Sequence, residues 1–151
     1  MKKAIVIGVI AVLTGTASFS GEVKPMDVAF EDGSVSASLT GVAGDAANGR
    51  KVFANRKQGN CLACHTNSDL SEESFHGEVG PPMDGAADRW SEAELRGIVT
   101  NSKMTFEDTI MPAFYKDSGY ERTLDKFTGK TILTAQQVED VVAYLMTLKE
   151  E

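Results

Sequence analysis

The 151-residue sequence predicts a small all-α domain on three observations. Two segments open with the S/T-x-x-E/Q capping signature and run on into apolar residues at helical spacing. A third opens on Asp45, a good N-cap residue, and stops ahead of a glycine. Between them lie long Gly-, Asp- and Ser-rich loops, with no internal repeat and no convincing sheet.

In chain order, the helix capped by Asp45 is expected to run to about Lys57, stopped by Gly59. Gly49 and Phe53 fall four apart on one of its faces. Ser91-Glu92-Ala93-Glu94 starts a second helix leading into Leu95, Ile98 and Val99. Thr134-Ala135-Gln136-Gln137 starts the last, where Val138, Val141, Val142, Leu145 and Leu148 recur with Tyr144 beside them. Gly49 would let the first and last helices cross closely, with Phe53 against Tyr144.

Ahead of Asp45 the signals are weaker. Residues 21–42 mix Gly, Ser, Val and acids; Val28-Ala29-Phe30 reads as a short extended piece. Val35, Ala37 and Leu39 alternate with serines, a period of two that suits a half-buried strand. Two expectations stand for this segment: a loose terminus, or an arm that packs against another subunit. Met1-Lys2-Lys3, the apolar run Ala4–Leu13 and the small residues from Gly15 to Gly21 read as a secretory signal, cleaved after Ala17 or Ser20. The apolar run is shorter than the ~20 residues of a membrane span. The chain thus divides into a signal (1–20), an N-terminal arm (21–43) and one domain (44–151), exported to the periplasm.

A formal net charge of −7, made more negative by loss of Lys2 and Lys3, argues against binding nucleic acid or anionic membranes. It permits steering toward a basic partner.

The chemistry sits in Cys61-Leu62-Ala63-Cys64-His65. C-x-x-C-H is the attachment signature of a c-type haem. On a helical turn the two cysteines share a face, so two sulfurs can reach two vinyl groups while His65 reaches the iron as proximal ligand. A thioredoxin-like redox pair would need a βαβ pattern, which is missing. A zinc site would have to recruit His76 together with the adjacent Cys64 and His65, and neighbours rarely converge on one tetrahedral metal. These are the only two cysteines, so one covalent haem leaves no free thiol.

The sixth iron position decides between ligand binding and electron transfer. Ile110-Met111-Pro112 offers a methionine on a proline-stiffened loop, and a thioether favours ferrous iron. Met104 and, in a bis-histidine site, His76 stand as alternatives; His76 reads otherwise as an exposed loop residue. Met26, Met83 and Met146 are poorly placed. Gly80-Pro81-Pro82-Met83-Asp84-Gly85 suggests a tight loop under His65, with the Pro81 carbonyl accepting its second ring N–H. Arg89 and Trp90 could donate to haem propionates.

Taken together, the Gly49/Phe53 helix, C-x-x-C-H, Gly80-Pro81, Met111-Pro112 and the last helix with Tyr144 resemble the class I cytochrome c fold. That resemblance implies crossing N- and C-terminal helices around one covalent haem c. The stretches GRKVFANRKQGNCLACH, FHGEVGPPMDGAADRWSEAELRGIV, TIMPAFY and LTAQQVEDVVAYLMTLK are similar to the small monohaem subunit family (SoxX) of the bacterial sulfur-oxidation cytochrome complex. The resemblance covers essentially the whole chain after the signal. It implies a periplasmic heterodimer with a larger haem-containing SoxA-type subunit, acting as an L-cysteine S-thiosulfotransferase that couples thiosulfate to a cysteine of a sulfur-carrier protein. It puts the sulfur chemistry on the larger subunit, and has the small one pass electrons to a downstream acceptor. Carried over, Cys61 and Cys64 are attachment sites, and His65 and Met111 the axial pair. Without a spare thiol this chain cannot hold a sulfur adduct, so its own part must be electron transfer. The alternative is a free-standing periplasmic electron carrier.

Overall fold

The computed structural model describes residues 21–150; the expected signal segment lies outside the described residues. Four α-helices form: α1 (Ala46–Ala54), α2 (Ala86–Arg89), α3 (Glu92–Asn101) and α4 (Ala135–Leu145), with five short 3-10 turns between and before them. Among the described residues the one piece of β-pairing is an isolated bridge between Glu31 and Ser34.

The helix starts follow their caps. Asp45 accepts from the amides of Ala47 and Asn48, and Ser91/Glu94 and Thr134/Gln137 both close reciprocal capping boxes. α1 ends at Ala54, earlier than the expected Lys57. Asn55 turns the chain there, its carbonyl accepting from Gln58 and Asn60, while the Gly59 amide returns to the Val52 carbonyl.

α1 and α4 make the most extensive helix–helix contact of the molecule. A Cβ on Gly49 would run into the Asp140 backbone of α4, so the crossing depends on glycine. Phe53 meets Tyr144 edge-on at this crossing. The buried Asp140 carboxylate fastens it, accepting from the Asp45 amide (2.8 Å), the Asn48 side chain (2.6 Å) and Gln136 (3.0 Å). Val138, Val141, Val142 and Leu145 fill the core side of α4, as the periodicity predicts.

The segment before Asp45 departs from the loose-terminus expectation and from the strand reading. It is neither strand nor loose terminus: Val35 and Leu39 are buried in this chain's own core, while Ala37 is exposed. Asp32 (φ +49°) and Gly33 (φ +82°) make a tight two-residue turn between Glu31 and Ser34. Beyond it, Val35 donates to the Ala93 carbonyl of α3, and Val23 to Leu39. A buried ion pair closes the seam. Arg96 of α3 binds both carboxylate oxygens of Glu139 of α4 (3.0 and 3.1 Å) and donates to the Val35 carbonyl (3.0 Å). Glu139 in turn accepts from the Leu39 amide at 2.7 Å. The segment docks because two buried charges, compensating one another, also satisfy its backbone.

Candidate functional site: a haem-attachment motif and its supporting loops

Asn60 in the left-handed region (φ +50°) opens a 3-10 turn, Cys61–Ala63, whose Cys61 carbonyl accepts from both Cys64 (3.1 Å) and His65 (3.0 Å). The sequence motif is thereby folded into one tight turn. Leu62 points into the core at 5% exposure, while Cys61 and Cys64 are half-buried and unbridged. Burial, as the main cause, pushes the free Cys61 thiol up to about 12; bonded to a vinyl carbon as a thioether, the same sulfur carries no proton.

A second stretch of chain runs alongside the motif. Gly77 donates to Leu62 (2.7 Å), Gly80 to Cys64 (2.7 Å) and Met83 to Thr66 (2.9 Å). It carries the loop expected beneath the histidine, and the Pro81 carbonyl accepts from His65 Nδ1 at 2.7 Å. A Cβ on Gly80 would stand 2.6 Å from that nitrogen, so the loop lies flat against the ring. With Nδ1 occupied, Nε2 is the nitrogen left to coordinate.

Met111 sits on a separate loop laid along the end of α3. Its carbonyl accepts from the buried Ser102 hydroxyl (2.8 Å) and the Lys103 ammonium, and its amide donates to Thr109 (3.2 Å). Phe114 and Tyr115 continue the attachment, donating to Val99 and Thr100. Met111 is half-buried against the core, whereas Met104 is 50% exposed and Met26 72% exposed. Met83 and Met146 also pack against the core.

One expected assignment changes. His76 is no exposed loop residue. It is half-buried, with Nδ1 accepting from the Asn67 amide (3.2 Å) and Nε2 donating to the Leu70 carbonyl (3.1 Å). Both ring nitrogens are engaged in protein hydrogen bonds, which speaks against the bis-histidine alternative. Arg89 donates from both terminal nitrogens to loop carbonyls, Asp84 (2.6 Å) and Pro82 (2.7 Å). Trp90 packs edge-on against Phe106 at 6.0 Å.

Sequence reading missed Asn67 altogether. It is 1% exposed and ties the chain after the motif to Tyr144, its amide donating to the phenol at 2.9 Å. The phenol donates to Asp69 (2.8 Å), which also accepts from Arg50 (2.7 Å). The Arg50 guanidinium first, and Tyr144 second, hold the Asp69 carboxyl below the usual range. A buried asparagine two residues past the histidine was the available signal. Among the described residues no cluster of three or more His, Cys, Asp or Glu side chains could hold a metal ion.

Two half-buried sulfurs on one turn, an imidazole oriented through its second nitrogen and a glycine flat beneath it fit a porphyrin bonded through two thioethers. The cytochrome c family profile matches residues 46–149. The chain belongs to the cytochrome c family, and it carries one covalent haem c. More particularly, it is 51% identical to a chain of SoxXA from P. pantotrophus, over 85% of this chain and 99% of that one, with a TM-score of 0.81. The c-type cytochrome SorU from Sinorhizobium meliloti is 27% identical, over 69% of this chain and 90% of that one, with a TM-score of 0.45. Ferric cytochrome c-550 from Paracoccus versutus is 24% identical, over 71% and 99%, with a TM-score of 0.40. No curated protein matches the chain in sequence.

Proposed function

We propose that this chain is the monohaem electron-transfer subunit of a periplasmic, two-subunit thiosulfate-oxidising cytochrome complex. One observation carries the reading: 51% identity across 99% of a SoxXA chain, in a protein whose two cysteines are both taken by haem attachment. The haem supplies reversible one-electron chemistry.

The residues divide the remaining work. Cys61 and Cys64 anchor the haem. His65 would hold the iron through Nε2, its ring fixed and made more basic by donation to Pro81. Met111 would supply the second protein ligand, its loop held by Ser102, Lys103 and Thr109. With both ligands and both cysteines so engaged, this chain would move electrons and bind no sulfur species. The thiosulfate-to-cysteine transfer of an L-cysteine S-thiosulfotransferase then belongs to a larger, haem-containing SoxA-type partner and the carrier protein it serves. Export by residues 1–20 would bring the chain to the compartment where that partner works. Among the described residues no helix is long and apolar enough to cross a membrane.

The test is copurification. Size-exclusion of native periplasm is expected to find this chain with a larger haem polypeptide in one peak. A lone peak at monomer mass would instead make it a free-standing carrier.

A further inference from the structure

We propose that Arg89 is a positioning residue for the haem: it fixes the Pro81 carbonyl under His65 and so lowers the reduction potential. The inference deepens the reading of His65 as axial ligand and rests on it.

The loop from Gly80 to Gly85 contains two consecutive prolines, neither with an N–H to donate. Its backbone is therefore anchored only at its flanks, by Gly80 to Cys64 and Met83 to Thr66. The peptide that carries the Pro81 carbonyl lies between those anchors with no backbone tie of its own. Arg89 supplies the missing restraint. One planar guanidinium grips the carbonyls of Pro82 (2.7 Å) and Asp84 (2.6 Å) together. A rigid fork on two acceptors sets orientation in a way that a single point charge does not. The Pro82 ring locks φ, so holding its carbonyl also restrains the peptide before it, which carries the oxygen facing His65.

The base of the fork is fixed as well. Arg89 ends α2, whose Ala86 is 2% exposed and whose Ala87 amide is tied to the Leu148 carbonyl at 2.9 Å. The Asp84 carboxylate accepts from Ser68 (3.0 Å), closing the loop onto the chain just past the haem motif. Among the described residues Arg89 forms no ion pair, so its donors serve the loop.

The effect has a definite sign. Donation from Nδ1–H to a well-placed carbonyl raises the basicity of the imidazole and favours ferric iron. Loosening that carbonyl should raise the potential. Removing a nearby positive charge acts oppositely through space, since a cation favours the ferrous state. Arg89→Lys separates the two, because it keeps the charge and loses the fork.

The holoprotein carrying Arg89→Lys is expected to keep the optical spectrum of the parent. At a fixed applied potential its ferrous-to-ferric ratio should rise about fivefold, about 40 mV at 59 mV per tenfold. Exchange of the His65 Nδ1 proton, followed by 15N NMR in the ferrous protein, should quicken. Arg89→Gln, which loses the fork and the charge together, should quicken the exchange likewise and serves if the lysine variant does not accumulate. An unchanged potential and unchanged ring-proton exchange with an intact spectrum would overturn the role of Arg89 while leaving the ligand assignment standing. So would a fall in potential. Parent protein whose spectrum lacks histidine–methionine ligation would instead overturn the assignment itself.

Discussion

Phe53 of α1 and Tyr144 of α4 meet edge-on at 5.6 Å, and the same Tyr144 reaches on to Asn67, two residues beyond His65 of the haem-attachment motif. The helix crossing and the cofactor motif are thus mechanically one unit. Phe53→Ala should cost about 3–5 kcal/mol, because it deletes a fully buried ring at a crossing too close to collapse. Tyr144→Phe keeps the ring but strands the buried Asn67 amide, so about 1–3 kcal/mol is expected. Denaturant melts of the two holoproteins check the order.

The Arg96–Glu139 pair gives a second prediction. With side chains only 5% and 4% exposed, the pair is buried, and without Glu139 the Arg96 charge keeps only the solvent-exposed Glu92 as a partner. Glu139→Ala should cost about 3–5 kcal/mol, and Arg96→Met with Glu139→Leu together much less. Amide exchange at Leu39, whose donor loses its carboxylate acceptor, should rise in both variants. Native-state hydrogen exchange measures it.

Tyr115 predicts an alkaline limb. Its hydroxyl donates to the Val23 carbonyl (2.7 Å), with the Glu22 carboxylate 3.1 Å away. Burial first, and the Glu22 carboxylate next, push it up to about 12. The folded value lies above the ordinary value near 10, so the protonated phenol stabilises the fold below pH ~10. That contribution is lost as pH rises from about 10 through 12. Tyr115→Phe should flatten this limb. Thermal melts of both proteins from pH 8 to 12 decide the matter.

Met111→Ala is expected to abolish the weak far-red band of the ferric spectrum that methionine ligation produces, while Met104→Ala leaves it in place. Survival of the band in the first variant would move the assignment to Met104.

The parts of the fold legible in sequence are those with local physics. Asp45, Ser91/Glu94 and Thr134/Gln137 announced three helices because a cap is a contact across two or three residues. Gly49, Phe53 and Tyr144 were readable because a close crossing demands glycine on one side and helical spacing on both. Pro81 was readable from the chemistry of a metal-bound imidazole. What stayed hidden depends on partners far apart in the chain. The arm looked strand-like because its apolar residues alternate, yet its docking is decided by Arg96 and Glu139, neither of which marks itself as buried. His76 looked like a loop residue because its partners, Asn67 and Leu70, reach it only once the loop has folded back. α2 is too short for any periodicity to show, and so the fork of Arg89 was invisible too.

The proposed division of labour between the two subunits rests on where electrons go when thiosulfate is consumed. Optical spectra of the purified holo-chain, mixed with thiosulfate alone and then with the larger haem subunit and carrier protein added, measure this directly. The prediction is a haem that stays ferric in the first mixture and turns ferrous in the second. Thiosulfate turnover by the isolated chain, or turnover by the full mixture with this haem remaining ferric, would contradict it.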